Sequence, residues 1–261
     1  KKFWAKLGDN LPQPSINDLG AVMSHVETIH NIAYEKLLSV LNLDDVFEEN
    51  LKLDIIKGRV DYLRKYNHKY YKDSKKQYVY SLVLFTLFVE NVSLFSQFYI
   101  ISWFKKYSNT LNDTAKQVAY TAKEETIHAL VGIKLINTIR EEYPELFDEE
   151  LETRVLSEAA EAFRCESNII DWILNGYEQP RLSEEQPPLN AEILKNYIKS
   201  RMNSSLTQIG FKEIFDDVDE ELMKETTWFD DGNSGNTLTD FFAGRPIAYT
   251  KGRSYDEEEL F

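Results

Sequence analysis

The stretch "YVYSLVLFTLFVENVSLFSQFYIISWF", residues 78–104, decides how the rest of the chain is interpreted. It is apolar on nearly every side of a helix and is long enough to be mistaken for a membrane span. It also carries Glu90, Asn91 and Gln97 near its middle, and such groups are costly in hydrocarbon. A helix that is hydrophobic all round can instead be the centre of a bundle, so we predict a buried helix over about 76–106 and no membrane association.

The sequence on both sides of this stretch has the 3.6-residue periodicity of helices and no convincing strand pattern or solenoid repeat. Glycine and proline are scarce, at 10 and 7 of 261 residues. We therefore predict an all-α domain over residues 1–229, followed by a turn-rich, flexible C-terminal tail over residues 230–261. The other predicted helices run from Ser15 to about Leu43, Leu51 to Tyr66, Asn112 to just before Pro144, Asp148 to about Gly176, Ala191 to Ser204 and Ile214 to Thr227.

Composition excludes some classes of partner and points to a compartment. The net charge of −14 argues against nucleic acid, whose phosphates require basic patches. A single cysteine, Cys165, cannot form an internal disulfide and fits a reducing cytoplasm; we assign it no function. The chain starts at Lys1 without Met or a signal peptide, so we expect further residues before it in the native protein.

Two of the four histidines close the same short motif, Glu27-x-x-His30 and Glu125-x-x-His128. Residues three apart on a helix share a face, so each motif presents a carboxylate and an imidazole together. One such motif is commonly a surface ion pair, but two copies flanking Glu90 match the ligand set of ferritin-like dinuclear sites. A buried, unpaired Glu90 would be expensive. We therefore predict a ferritin-like bundle whose core binds iron or manganese through these five side chains, as Fe2, Mn2 or a mixed pair.

Tyr34 follows His30 by one helical turn, about 6 Å along the axis. A dry tyrosine close to a metal pair could be oxidised by it, and a hydrogen-bonded core tyrosine is the other interpretation. The remaining histidines, His25 and His68, have no carboxylate three residues before them. We interpret both as structural or surface residues.

Several segments resemble the small, radical-generating subunit of class I ribonucleotide reductase. "VETIHNIAYEKLL", "LFVENVSLFSQFYII" and "AKEETIHALVGIKLI" are similar to its ligand helices, and the intervals from Glu27 to Glu90 and from Glu90 to Glu125 are similar to those of its compact members. The ending "DFFAGRPIAYTKGRSYDEEELF" is similar to its flexible tail, with a double phenylalanine, a tyrosine and an acidic end closed by phenylalanine.

This resemblance implies roles for individual residues. Tyr34 would be the stable radical site, and Glu124 would belong to the proton-coupled radical route. Tyr249 would relay the radical from the tail to the large subunit. Leu94 and Phe98 would line the apolar pocket that shields the radical.

The resemblance also implies partners and reveals two departures. The family acts as a homodimer with a large catalytic subunit that reduces ribonucleotides, and the need for an activating flavoprotein stays open. Lys123 stands where the family often has arginine. The sixth ligand of the family would lie just upstream of Lys1, as would its usual tryptophan at the start of the radical route, and Asp9 is a poor substitute for that ligand.

Three other classes of protein fit parts of the pattern. A ligand-binding oxidase of the same superfamily needs neither Tyr34 as a radical site nor a docking tail. A ferritin-like ferroxidase or storage protein would assemble into a cage and tolerate Tyr34→Phe. A structural helix bundle would bind no metal.

Overall fold

The computed structural model describes residues 1–179 and 186–234, and all regular secondary structure within these ranges is helical. The prediction of an all-α protein is confirmed. Two long helices, α2 (Pro14–Val40) and α7 (Asn112–Glu142), pack against each other and against the central apolar segment. Pro14 starts α2 at a position where proline loses no helical hydrogen bond. The other helices are α1 (Lys2–Ala5), α3 (Asp44–Asn50), α4 (Asp54–Leu63), α5 (Ser74–Leu84), α6 (Phe95–Ser108), α8 (Glu149–Ile173), α9 (Ala191–Gln208), α10 (Glu220–Lys224) and α11 (Thr227–Ser234).

The central apolar segment is not one continuous helix, so that prediction is wrong. After α5 the chain forms a π-helical segment, Phe85–Glu90, and a turn over residues 91–94 before α6. The Ser93 amide donates to the Phe88 carbonyl at 2.9 Å, a bond five residues long. Leu94 then adopts a left-handed backbone with φ of 73°. A π-helical turn holds one residue more than an α-helical turn, and such turns are frequent at functional sites.

Burial decides between the membrane and core interpretations of this segment. Ser74–Ser108 has the length and composition to cross a membrane, but 78% of its most apolar window is buried inside the protein. That burial favours a core helix, as the sequence predicted.

Other predicted boundaries differ from the structure. The helix expected over residues 51–66 starts only at Asp54 and becomes a 3-10 turn after Leu63. The helix expected from Ile214 starts at Glu220, where the Asp219 carboxylate caps it. Residues 230–234, expected to be irregular, belong to α11, and Asp230 in this helix accepts a hydrogen bond from the Tyr197 hydroxyl at 2.8 Å.

Two glycines allow close packing around the central segment. A Cβ at Gly20 on α2 would lie 2.5 Å from the Trp4 carbonyl oxygen, so glycine lets α1 rest directly on α2. A Cβ at Gly132 on α7 would lie 2.2 Å from Thr86 Oγ1. The π-helical segment therefore lies directly against α7.

Gly132→Ala should reduce the free energy of unfolding by about 1–3 kcal/mol, because the added methyl overpacks a site whose neighbour, Thr86, is fully buried. Gly58→Ala is the matched control. A Cβ at Gly58 would meet only Cys165 Sγ, at 3.9 Å, so alanine should stabilise α4 by roughly 0.5–1 kcal/mol. Urea unfolding of both variants measures the two effects, and equal effects would contradict this packing argument.

Two arginines hold the turn at residues 91–94 from different helices. Arg201 on α9 donates to the backbone and side-chain oxygens of Asn91, both at 2.9 Å. Arg59 on α4 donates to Ser93 Oγ at 3.3 Å and to Gln97 Oε1 at 2.9 Å. The backbone that follows Glu90 is thus fixed on two sides by charged side chains.

Candidate metal centre

Three elements bring the predicted ligands together in the core. α2 carries Glu27 and His30 on one face, and α7 carries Glu125 and His128 on one face. Glu90 ends the π-helical segment and is 2% exposed. The helical spacing of the two motifs and the lone central carboxylate therefore converge as the sequence predicted.

Four of these side chains form a compact cluster. One potential ligand atom from each of Glu27, Glu90, Glu125 and His128 lies within 4.8 Å of the others. The Nδ1 atom of His128 is 3.1 Å from Glu27, 3.2 Å from Glu90 and 3.5 Å from Glu125, measured to the nearest carboxylate oxygen. Three carboxylates around one imidazole nitrogen are a donor set suited to iron or manganese.

His30 joins this cluster through its other neighbours. Its Nε2 lies 2.5 Å from Glu124 Oε2, and its Nδ1 lies 3.2 Å from Glu125 Oε1. The Nδ1 atom is buried and has no hydrogen bond of acceptable geometry. Metal-binding imidazoles typically engage a carboxylate through one nitrogen and the ion through the other. His30 has that arrangement, so the residues present fit a bound metal.

The electrostatics of the cluster also suit a cation. Against the effect of burial, hydrogen bonds to Glu125, Glu27 and Glu90 raise the pKa of His128 to about 11. Burial, with added repulsion from Glu125 and Glu27, raises the pKa of Glu90 well above its ordinary value. Positive charge is therefore strongly favoured among these carboxylates, and a divalent ion would supply it in place of protons.

Trp4 is a site residue that the sequence analysis did not identify. It is fully buried, and its Nε1 donates to Glu90 Oε1 at 2.9 Å. Its ring centroid is 5.7 Å from that of His128. The one available signal was a tryptophan in a short apolar stretch near Lys1, which carries no motif.

Trp4→Phe should weaken metal binding by roughly 10–100-fold, because the outer-shell donor that orients Glu90 is lost. Trp103→Phe is the matched control, since Trp103 is also fully buried and donates from Nε1, to the Pro187 carbonyl at 3.1 Å. Both variants should lose stability, and only the Trp4 variant should lose affinity in a competitive metal titration. Equal affinities would contradict this role of Trp4.

Tyr34 lies beside the cluster on α2. Its hydroxyl donates to Thr121 Oγ1 on α7 at 3.1 Å. Burial raises the pKa of the phenol, and the nearby charges of Glu125 and Glu124 raise it further. Tyr34 is therefore held as a neutral phenol within reach of the charged groups of the cluster.

The remaining predicted residues have mixed outcomes. Phe98 is buried, as expected for a residue that lines an apolar pocket. Leu94 is 38% exposed, so within this chain the expectation that it lines such a pocket is wrong. Leu94 precedes α6 with a left-handed backbone and lies at the surface. His25 and His68 are exposed, as expected. Tyr249 lies outside the described residues.

Asp9, the poor substitute for a sixth ligand, lies in a 3-10 turn and is not in the carboxylate–histidine cluster found among the described residues. Lys123, which stands where arginine was expected, precedes Glu124 on α7. Five of the predicted side chains, Glu27, His30, Glu90, Glu125 and His128, thus carry the candidate centre.

The fold and this site define a class of protein: a ferritin-like helical bundle with a carboxylate–histidine cluster in its core that could hold metal ions. Comparison with solved structures gives the same fold. A crystal structure from Bacillus halodurans, described as a class I ribonucleotide reductase, has a TM-score of 0.74 at 21% identity, over 87% of this chain and 80% of that chain. The ribonucleotide reductase R2 subunit from Clostridium botulinum has a TM-score of 0.68 at 18% identity, over 88% and 73%.

Sequence comparisons then identify the family. The sequence model described as ribonucleotide reductase, small chain, matches residues 1–221. The chain is 22% identical over 250 residues to the ribonucleoside-diphosphate reductase subunit beta of Halalkalibacterium halodurans, covering 94% of this chain and 69% of that protein. It is 24% identical over 254 residues to a protein of invertebrate iridescent virus 3 described as a ribonucleoside-diphosphate reductase small subunit, covering 92% and 64%.

The chain belongs to the ribonucleotide reductase small-chain family. The general function of this family is to generate the radical used by an oxidoreductase whose other component is a large subunit. The chain spans about two thirds of the length of the two relatives named above.

Proposed function

We propose that this chain generates a radical on Tyr34 and delivers it to a large catalytic subunit that reduces ribonucleotides to deoxyribonucleotides. The observation that carries the proposal is the buried cluster of three carboxylates and one imidazole, with His30 3.2 Å from Glu125 and Tyr34 one helical turn from His30.

Glu27, His30, Glu90, Glu125 and His128 would hold two iron or manganese ions. When bound, the metal pair supplies the oxidising power, drawn from dioxygen or a related oxidant, that removes an electron from a phenol. The protein contributes carboxylates that can change their binding mode and imidazoles that stay fixed as neutral ligands. The donor set serves iron, manganese or a mixed pair, and an activating flavoprotein is proposed as an additional partner.

Glu124 connects the buried centre with the surface. The Glu124 side chain is 43% exposed, and it contacts Nε2 of His30, whose side chain is 11% exposed. A group that touches both solvent and a ligand imidazole is suited to move a proton between them. This supports Glu124 as a member of the radical route to the large subunit, with Tyr249 in the tail as a later member.

A homodimer is supported by an apolar stripe on α2. Val22, Ile29 and Val40 are 63%, 51% and 63% exposed. Their separations of seven and eleven residues, 29 − 22 and 40 − 29, place them on one line along the helix. Exposed apolar rows of this kind mark interaction surfaces, and a second copy of α2 would cover this one.

Val22→Glu combined with Val40→Glu should convert the dimer to a monomer, because it places a charge at each end of the apolar stripe. The metal should stay bound, because neither residue belongs to the carboxylate–histidine cluster. Leu53→Glu, at a position 38% exposed on a different segment, is the control and should leave the dimer intact. Sedimentation velocity measures the mass. A wild-type chain that is monomeric at high concentration would overturn the dimer.

The direct test of the function is an electron paramagnetic resonance spectrum of the full chain. The chain would be loaded with iron or manganese, exposed to oxygen or superoxide, and then assayed with a large subunit. An organic radical together with ribonucleotide reduction supports the proposal. A loaded centre with no organic radical indicates an oxidase, and a cage-sized assembly indicates a storage protein. Cell fractionation would test the proposed cytoplasmic location.

A further inference from the structure

We propose that Thr121 is a positioning residue that holds the Tyr34 hydroxyl against α7 and away from the metal-binding carboxylates. This inference deepens the proposed function and rests on it, since it assigns a partner to the proposed radical site. Thr121 lies outside the sequence motifs and carries neither charge nor metal-binding chemistry.

The direction of the two hydrogen bonds at Thr121 is fixed by simple counting. A threonine hydroxyl has one proton to donate and lone pairs to accept. Thr121 Oγ1 donates to the Gln117 carbonyl oxygen at 3.2 Å, one turn earlier on α7. The 3.1 Å contact with Tyr34 must therefore have the phenol as donor and Thr121 as acceptor. Thr121 is 3% exposed, so water does not compete freely for this bond.

The surroundings of Tyr34 give this bond its importance. Glu124 and Glu125 lie three and four residues after Thr121 on the same helix, which places them one turn from it on the same side of α7. Tyr34 is half-buried, and without Thr121 its hydroxyl would turn toward another oxygen within reach, from a carboxylate or from water. A carboxylate that accepted the phenol proton would be less available to a metal ion. Thr121 supplies a neutral acceptor that does not bind the metal.

A neutral acceptor also suits a phenol that stays protonated until it is oxidised. The Thr121 hydroxyl already donates to a backbone carbonyl, and that carbonyl is not a base at physiological pH. The pair Thr121 and Gln117 therefore orients the resting phenol without taking its proton, and the proton released when Tyr34 is oxidised passes to another group of the site. Tyr34 stays a defined, neutral hydrogen-bond donor until it is oxidised.

Ultraviolet resonance Raman spectra of the full chain without metal can test this arrangement, because the tyrosine ring bands respond to whether the hydroxyl donates a hydrogen bond. Subtracting the spectrum of Tyr34→Phe isolates Tyr34 from the other tyrosines. For Thr121→Val, which keeps the shape and removes the hydroxyl, the spectrum of the double variant with Tyr34→Phe is subtracted. The same is done for Thr121→Ser, which keeps the hydroxyl. We expect the bands to shift in the valine variant and to return to the wild-type position in the serine variant.

Unchanged bands in Thr121→Val would overturn the proposal, as would equal shifts in the valine and serine variants, which would trace the effect to packing alone. Superimposable unfolding curves of the wild type and both variants establish that the fold is intact. Because these spectra need no metal and no radical, a chain that forms no radical would overturn the proposed function and leave the assignment of Thr121 standing.

Discussion

Glu90→Gln should weaken metal binding by more than the roughly 10–100-fold typical of losing an outer-shell partner, because it removes a ligand carboxylate from the middle of the cluster. The same change should raise the free energy of unfolding of the metal-free chain by about 1 kcal/mol, since a buried carboxylate beside Glu27 and Glu125 is exchanged for a neutral amide. The amide oxygen can still accept from Trp4. Function and stability should therefore change in opposite directions, as measured by metal titration and by urea unfolding.

Glu166→Gln on α8 is the matched control. Glu166 is also fully buried, but its Oε1 lies 3.0 Å from Nε of Arg59, away from the carboxylate–histidine cluster. The variant leaves a buried arginine without its counter-charge and should lose about 3 kcal/mol of stability with unchanged metal affinity. If Glu90→Gln destabilised the metal-free chain as Glu166→Gln does, Glu90 would be a structural carboxylate and the site would need another interpretation.

Tyr34→Phe should abolish the organic radical and reduce ribonucleotide reductase activity to background, while the metal content stays at the wild-type level. Phenylalanine keeps the ring and removes the hydroxyl whose loss of an electron and a proton defines the radical. Stability should fall by about 1 kcal/mol, the net value of one neutral hydrogen bond, because the bond to Thr121 disappears. The measurements are electron paramagnetic resonance, a reductase assay with the large subunit, and metal analysis of the same sample.

Tyr99→Phe separates the loss of a hydrogen bond from the loss of the radical site. Tyr99 is fully buried and its hydroxyl donates to the Glu225 carbonyl at 3.2 Å, so the variant loses a comparable bond in the same bundle. It should keep the radical and the activity. A radical that survives in Tyr34→Phe would assign the radical to another residue and return Tyr34 to the role of a core tyrosine.

The five residues predicted as ligands could be proposed from the sequence for two reasons. Four of them form pairs by their spacing on one helix, and the fifth is a carboxylate whose burial in an apolar segment is costly. Spacing of three residues on a helix joins His30 to Glu27 and His128 to Glu125, whatever the rest of the fold. Glu90 was recognisable because an isolated carboxylate in an apolar helix requires compensation. The structure places all five side chains in or next to one cluster.

The parts that could not be predicted depend on contacts between distant residues. Trp4 donates to Glu90, 86 positions away in the sequence, and no periodicity of the sequence predicts such a hydrogen bond. The π-helical turn and the left-handed Leu94 interrupt the helix where Arg59 and Arg201 bind the turn. The hydropathy of the sequence does not change at this interruption, so the sequence could not predict it. The family resemblance implied that Leu94 lines an apolar pocket, yet its backbone conformation leaves it exposed.

The surplus residue in the π-helical turn allows a single apolar segment to form two different walls of the bundle. In an uninterrupted α-helix, residues seven apart face the same way. Glu90 instead meets Trp4 and His128, whereas Gln97, seven residues later, meets Arg59 on α4. The end of the π-helical turn at Glu90 and the left-handed residue Leu94 break the register of the helix before Gln97. The interruption thus lets one apolar segment face the carboxylate–histidine cluster before the turn and α4 after it, which a straight helix with a single register could not do.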